Sequence, residues 1–558
     1  MVKRILKIFN GEISGLHQAA YLLGFFAFCS QILALFRDRI LAAQFGATGT
    51  LDLYYAAFRI PDFIFITVGS MVSVSVLIPF MMERFKKDKD NGREFLSNIF
   101  SFFFLFIVVT CAIVFFFVPQ LSKYLFPGFD SSRLSQVISL TRILLLSPIF
   151  LGLSNILGTL TQAYRRFFLY AMSPIIYNLS IIAGIIFLYP IFGLSGLAYG
   201  VIIGAFFHFA IQIPLVIERG MLPRFRLKYN LKEIKQVLYV SVPRTLTLGS
   251  DSISMIFLVS LASLMTVGSI AVFNFSFNLQ SVPLAIVGVS YSLAAFPILI
   301  QFYSAGDIKK FVEQMVNSAR HIVFWSLPII TLLIILRAQI VRTILGSGQF
   351  NWYNTRLTAA SLAIFAASIL FQNLTLLFVR AYYATGNTKK PFLAKGINAF
   401  LTVVLGYGFM ILHSKSPEFR NALETLLHVK DVPGTIVLAL PLGWSIGEFF
   451  NMVVLWVAFQ RDFHGFSKDV LKTFLQVSIA SLIMGFVSYN FLNIFVTVFD
   501  TDTTFSVFMQ GFSAGMVGIV FGIIVLCILG NAELFEVWAA LHKKIWKARV
   551  IVPDAELQ

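Results

Sequence analysis

Charge is scarce in this chain. Only 12% of its 558 residues are charged, against about 25% in a soluble protein, while 58% are apolar and the mean hydropathy is +0.84. An ordinary soluble protein is excluded. Cysteine is scarcer still: Cys29, Cys111 and Cys527 are the only three, and each lies inside an apolar stretch. A secreted disulfide scaffold is therefore excluded, and the three read as small core residues. Metal-ligand spacing is missing too. The seven histidines, at 17, 208, 321, 413, 428, 464 and 542, form no His-Glu-x-x-His or similar pattern, and no cysteine has a partner at metal-site spacing, so no metal or other cofactor is expected. A phosphate-cradling loop is absent: the nearest fragment, Gly386-Asn387-Thr388-Lys389-Lys390, lacks the first glycine and the terminal hydroxyl, which argues against nucleotide-driven pumping within the chain.

What the chain does have is uncharged runs of about 20 residues, the length that crosses a bilayer as helix. Apolar windows and the polar breaks between them predict an all-α polytopic membrane protein with fourteen transmembrane helices, at 17–45, 52–83, 95–118, 134–164, 170–189, 195–217, 237–264, 269–302, 319–337, 356–383, 391–412, 433–459, 470–496 and 505–530. An even number puts both termini on one side. The formal net charge of +17 could suggest nucleic acid, but its distribution explains it differently. With cytoplasmic termini, 27 of the 43 Lys and Arg residues fall in inside segments and eight in outside segments, the bias that orients membrane proteins. No nucleic-acid partner is implied, and the neighbours expected for the chain are membrane lipids. No separate targeting peptide is expected either, because Gly11 to His17 interrupts the basic start and no small-residue cleavage site follows.

The same landmarks occur twice at nearly constant separation. Pro61 matches Pro283 at 222 residues, Phe129 matches Phe350 at 221, Asn178 matches Asn398 at 220, and Ala163-Tyr164 matches Ala381-Tyr382 at 218. Six helices separate equivalent points, so the copies insert in one orientation, as parallel repeats about an axis along the membrane normal. The expected organisation is an N-lobe at 1–217, a cytoplasmic linker at 218–236, a C-lobe at 237–460, and two further helices with a basic tail at 461–558. Substrate is expected between the lobes. Gly511, Gly515, Gly518 and Gly522 make a small-residue stripe on the last helix, suited to close helix packing. Between Asp307 and His321, Phe311, Val312, Met315 and Val316 share a face opposite Lys309, Lys310 and Glu313, the pattern of a helix lying on the cytoplasmic leaflet.

The remaining cations fall within or at the ends of spans. Arg37, Asp38 and Arg39 sit in the second half of the first helix, Arg59 and Asp62 flank Pro61 in the second, and Arg244 follows Pro243 in the seventh. A charge at mid-bilayer costs roughly 2.5 to 3.5 kcal/mol, so such residues normally face a cavity, and a proline-broken helix commonly marks a binding site in repeat transporters. The guanidinium fork matches phosphate oxygens, so the expected ligand is an anion bearing phosphate or diphosphate. The alternative for each arginine is snorkelling to an interface, with Arg37 paired to Asp38 or Asp52. Asp251 is expected to pair with Arg244, seven residues earlier on the same helix face. Asn274-Phe275-Ser276 and Asn373-Leu374-Thr375 fit the glycosylation pattern but lie inside spans and read as chance matches.

Two stretches resemble the MurJ/MviN lipid II flippases of the multidrug/oligosaccharidyl-lipid/polysaccharide exporter superfamily. The first runs from Ser30-Gln31 through Phe36-Arg37-Asp38, Phe45-Gly46 and Asp52 to Ala57-Phe58-Arg59-Ile60-Pro61; the second runs from Phe273-Asn274-Phe275 through Asn278 and Pro283-Leu284 to Gly288. The resemblance covers nearly all of the chain. It implies two six-helix lobes around a central cationic cavity, a groove at helices thirteen and fourteen for a polyprenyl tail, and alternating access that carries the headgroup outward across a bacterial plasma membrane, the protein acting as a monomer. It places the diphosphate on Arg37 and Arg59, with Arg244 as a further cation and Gln31 and Asn278 at substrate-facing positions. Asp38 and Asp52 would orient the arginines or help close the outer gate. The sequence departs from the family where family arginines fall at Gln31, Phe65 and Asn278, and Leu258 stands where some relatives carry an acid thought to bind sodium. Rival readings are an exporter of another polyprenyl-diphosphate-linked oligosaccharide, a transport-inactive envelope scaffold, and a membrane glycosyltransferase. The last needs clustered acids or histidines in a polar loop, which the segment His413 to Pro433 does not arrange recognisably.

Overall fold

The structure, a computed structural model, describes residues 16–72, 74–87, 89–226, 228–499 and 503–546. The side chains of Lys3, Arg4, Lys7, Pro79, Pro243, Arg244 and the basic group from Lys543 to Arg549 lie outside the described residues. The described chain is helical throughout, with no strand among the described residues. Eleven helices are each long and apolar enough to cross a membrane, and Trp352–Ala367 with Ile369–Ala384 makes a twelfth if the pair is one span. The charged helix Leu16–Phe45 and the interrupted run from Gly49 to Lys87 are consistent with the other two of the fourteen expected crossings. The protein is an integral membrane protein.

The break in the second crossing follows from its sequence. Pro61 has no N–H and its ring excludes the carbonyl four residues earlier, so it is tolerated only in a first turn. The run accordingly divides into Gly49–Ala57 and Arg59–Thr67, with Pro61 in the first turn of the second piece, and a 3-10 turn at Gly69–Val72 precedes Val74–Lys87. The repeat-related Pro283 ends an α-helical stretch in the same way, and Leu284–Val289 continues as π-helix, a form that absorbs a missing backbone bond.

Helix packing divides the chain into two compact units. The first comprises the chain up to Val282, Val341–Ser368 and Asn387–Asn451. Because lipid is as apolar as leucine, helices in a bilayer associate through close packing of small residues rather than hydrophobic exclusion. Gly184 and Gly200 show the effect: a Cβ on Gly200 would stand 2.7 Å from the Gly184 Cα, so these two helices touch backbone to backbone.

The second unit comprises Pro283–Ile340, Ile369–Gly386 and the chain from Met452. Its glycine stripe packs as expected: Gly511 meets Gln339, Gly515 meets Leu336, and Gly518 and Gly522 lie against Ser488 and Met484. The surface helix expected at 307–321 is not one. It is the opening of a continuous helix, Ile308–Ile335, and its apolar face is buried on protein, with the Phe311 ring against Tyr303, Phe459 and Phe463. Aromatic partners outcompete lipid for that face. Cys527, expected in the core, is exposed on the unit's helix Thr504–Ile528.

A short helix, Ala532–Trp546, closes this unit and is clasped through Glu533. The buried carboxylate accepts from Arg320 Nε at 2.5 Å, Thr473 Oγ1 at 2.8 Å and Asn531 Nδ2 at 2.7 Å. Burial pushes the Glu533 carboxyl up, but hydrogen bonds from its own backbone N–H and Thr473, with the Arg320 charge, outweigh it and hold the group below its ordinary value. The clasp therefore contributes stability that is fully present above the usual glutamate range, about pH 4.3, and is lost as pH falls through the lower folded value. Tryptophan fluorescence of purified protein, with Trp538 on this helix, should report undocking at acid pH. Glu533→Gln should remove that acid-dependent loss; an unchanged acid transition in the variant would show that the clasp is not its source.

Candidate functional site

The first unit contains a cavity of about 310 Å³ lined by Arg37, Tyr54, Tyr55, Arg59, Asp62, Tyr177, Asn274 and Asn278, among others. Its walls come from helices Leu16–Phe45, Gly49–Ala57, Arg59–Thr67, Phe167–Ala183, Leu231–Ser263 and Ser269–Pro283. Both halves of the sequence repeat contribute.

Arg37 is held from three sides. Its Nε and Nη2 donate to Asp38 Oδ1 at 3.0 and 2.9 Å, and Nη1 donates to Asn178 Oδ1 at 3.2 Å. Asn278 Nδ2 donates to the other Asp38 oxygen at 2.9 Å, while Asn178 is fixed by donating to Ser30 Oγ and the Pro174 carbonyl. Asp38 is almost fully buried and Arg37 keeps 21% of its side chain exposed. Of the two pairings open from sequence, Arg37 takes Asp38. Asn278, which stands where the family resemblance puts an arginine, completes this pair. Arg59 is oriented separately: its Nη2 donates to Asn274 Oδ1, and Asn274 Nδ2 donates to the Ile270 carbonyl. Asn274 thus has a definite polar role.

Asp52 does something else. Its carboxylate, 3% exposed, accepts from the backbone N–H groups of Gly268 at 2.6 Å and Ala271 at 2.9 Å. It caps the start of helix Ser269–Pro283 from a different helix, where the unsatisfied N–H groups and the positive dipole end favour an anion. Around it the chain is in backbone contact at several points. A Cβ on Gly268 would collide with the Ala47 carbonyl, one on Gly348 with that of Ala43, and one on Gly128 with that of Ser263; Gln349 N–H donates to the Ala43 carbonyl at 2.8 Å. Arg39 belongs to the same layer, donating to the carbonyls of Thr343 and Ile344 at 2.5 and 3.1 Å at the C-terminal end of helix Arg337–Leu345, where a cation is favoured. Asn274 is six residues past Gly268, about 9 Å along a helix, so this layer roofs one end of the cavity.

Gln31 is half-buried on the first helix, outside the cavity lining. The described lining holds Arg37 and Arg59 against Asp62, with Asp38 directly behind Arg37, a smaller positive excess than the sequence led us to expect. The partner expected for Asp251 is Arg244, whose side chain lies outside the described residues; among the described residues its partner is Lys395. Lys395 Nζ donates to both Asp251 oxygens at 2.9 and 3.1 Å and stands 3.5 Å from Glu448, which also accepts from Asn398 at 2.8 Å. The repeat mates Asn178 and Asn398 therefore each support a charged group inside their own half. Sequence reasoning missed Tyr54, Tyr55 and Tyr177, because aromatics in an apolar run carry no signal of cavity exposure. Asn178 was visible only as a repeat landmark.

Membrane-spanning helices with Arg37 and Arg59 lining a cavity are the features of a polytopic membrane transporter. The family model described as lipid II flippase MurJ matches residues 41–512. The chain belongs to the lipid II flippase MurJ family. It is 25% identical over 469 residues to the probable lipid II flippase MurJ of Buchnera aphidicola subsp. Schizaphis graminum, covering 83% of this chain and 87% of that one. It is 26% identical over 456 residues to the probable lipid II flippase MurJ of Thermotoga maritima, covering 76% and 92%. Among solved structures it resembles a lipid II flippase MurJ in an inward closed conformation, with a TM-score of 0.72 and 26% identity over 92% of this chain and all of that one. An inward-facing multidrug resistance MATE transporter shares the fold at a TM-score of 0.62 and 16% identity, covering 77% and 93%.

Proposed function

We propose that the protein is a lipid II flippase, carrying the lipid-linked peptidoglycan precursor from the inner to the outer leaflet of a bacterial plasma membrane by alternating access, without covalent chemistry. The observation that carries this reading is the pair of independently braced arginines, Arg37 and Arg59, on one cavity wall. Two guanidinium forks held in place match a diphosphate and select against a cationic substrate. Asp38 fixes Arg37 while the site is empty, and the diphosphate competes for the same fork. Arg244 is a third candidate ligand, and Asn278, which lines the same cavity, is a polar neighbour of the path, whereas Gln31 lies outside that lining. The six-helix repeats, 1–217 and 237–460, are read as the alternating halves.

The Asp52 layer is the outer gate in its closed state, a reading that follows from cytoplasmic termini and the inside excess of Lys and Arg. The polyprenyl tail is assigned to an apolar groove of about 370 Å³ in the second unit, lined by Phe324, Trp325, Met484, Ile519, Leu526 and Trp538 among others. The protein is taken to work as a monomer.

Purified protein in vesicles loaded with labelled lipid II tests the reading. The headgroup should become accessible to an impermeant reagent far faster than in protein-free vesicles. Equal slow exposure in both would turn attention to another polyprenyl-diphosphate-linked glycan or to a scaffold role.

A further inference from the structure

Two donors on the cavity wall have no partner among the described residues: the Tyr55 hydroxyl and Arg59 Nε. Tyr55 is more than nine-tenths buried, yet it lines the cavity beside Arg59. The two side chains flank the helix break at Phe58, Tyr55 in the last turn of Gly49–Ala57 and Arg59 opening Arg59–Thr67. Asn274 takes Arg59 Nη2 and leaves the buried Nε without a partner among the described residues. A buried hydroxyl without a partner is costly in a resting protein, and an acceptor supplied by a ligand removes that cost. The tyrosine ring needs no hydroxyl for its packing, since it sits edge-on to Phe275 at 5.9 Å and to Tyr54 at 5.5 Å.

We infer that Tyr55 is a headgroup-binding residue, its hydroxyl and Arg59 Nε together donating to one oxygen of the substrate diphosphate. The inference rests on the flippase reading and deepens it. The pair adds direction, because a hydroxyl and a guanidinium edge converge on a single acceptor while a lone cation attracts from any side.

Tyr55→Phe deletes only the oxygen. In nanodisc-embedded protein, binding of fluorescent lipid II should weaken about tenfold, the size of one hydrogen bond to a charged acceptor, and competition by inorganic pyrophosphate should weaken by the same factor. The melting temperature of the unliganded variant should equal or exceed the wild type, which separates a binding role from a structural one. Arg59→Lys keeps the charge but lacks the guanidinium edge, and combining it with Tyr55→Phe should cost less than the product of the single effects, because both act on one oxygen. Lipid II binding within twofold of wild type in Tyr55→Phe overturns the assignment while leaving the flippase reading intact. Weaker lipid II binding with unchanged pyrophosphate competition also overturns it, by moving the contact to the sugar. Wild-type protein that neither binds nor transports lipid II sinks both.

Discussion

Replacing Arg37 by alanine is expected to reduce headgroup transport to the rate of protein-free vesicles, a loss of at least about 100-fold if two charge-assisted bonds to the diphosphate disappear. The same change strands Asp38, which is 2% exposed and would keep only its bond from Asn278. Removing one member of a buried pair typically costs about 3–5 kcal/mol, so the single variant should also melt at lower temperature. Asp38→Asn in the same chain separates the effects. Arg37→Ala with Asp38→Asn should recover most of the stability and none of the transport. Arg37→Lys keeps the charge without the planar fork and should fall between wild type and alanine. A double variant that is stable and transports normally would remove Arg37 from the binding site.

The second large effect is expected from a single methyl group at Gly268. This residue has a φ of +91°, in the region that costs other L-residues roughly 1–2 kcal/mol, and a Cβ there would run into the Ala47 carbonyl, adding about 1–3 kcal/mol of overpacking. If the Asp52 layer is the outer gate proposed above, its closed state would bear all of that strain and an opened one only part. Gly268→Ala should therefore shift the protein toward the outward-open state by on the order of 100-fold and slow transport, because the layer must reclose in each cycle. With Cys29, Cys111 and Cys527 replaced by alanine and Met255→Cys placed in the cavity, an impermeant maleimide added outside should label the Gly268→Ala protein much faster. Labelling and transport both at the unsubstituted rate would show that this layer is not the gate.

Several elements were legible because their physics is local. Length and apolarity alone specify a bilayer-spanning helix. Pro61 and Pro283 interrupt their helices wherever those helices are placed, since the missing N–H is a property of the residue. Arg37, Arg59 and Asp62, which the sequence groups near the start of the chain, line one cavity with Asp38 behind Arg37, because an intramembrane charge has few places to go.

Partner choice was a different matter. Asp251 binds Lys395, 144 residues away on another helix. Asp52 could have turned to an arginine and instead caps a helix that begins more than 200 residues later. Phe311 and its neighbours had the pattern of a lipid-facing helix until Phe459 and Phe463 covered them. By itself, the sequence determined a multi-span helical membrane protein and its helix breaks at Pro61 and Pro283. Tertiary structure alone decided which carboxylate neutralises which cation, which buried donors are left without a partner among the described residues, and where backbones touch. The physical reason is range: helix formation and membrane insertion depend on residues a turn or a span apart, whereas an ion pair or a glycine contact exists only once distant helices have packed.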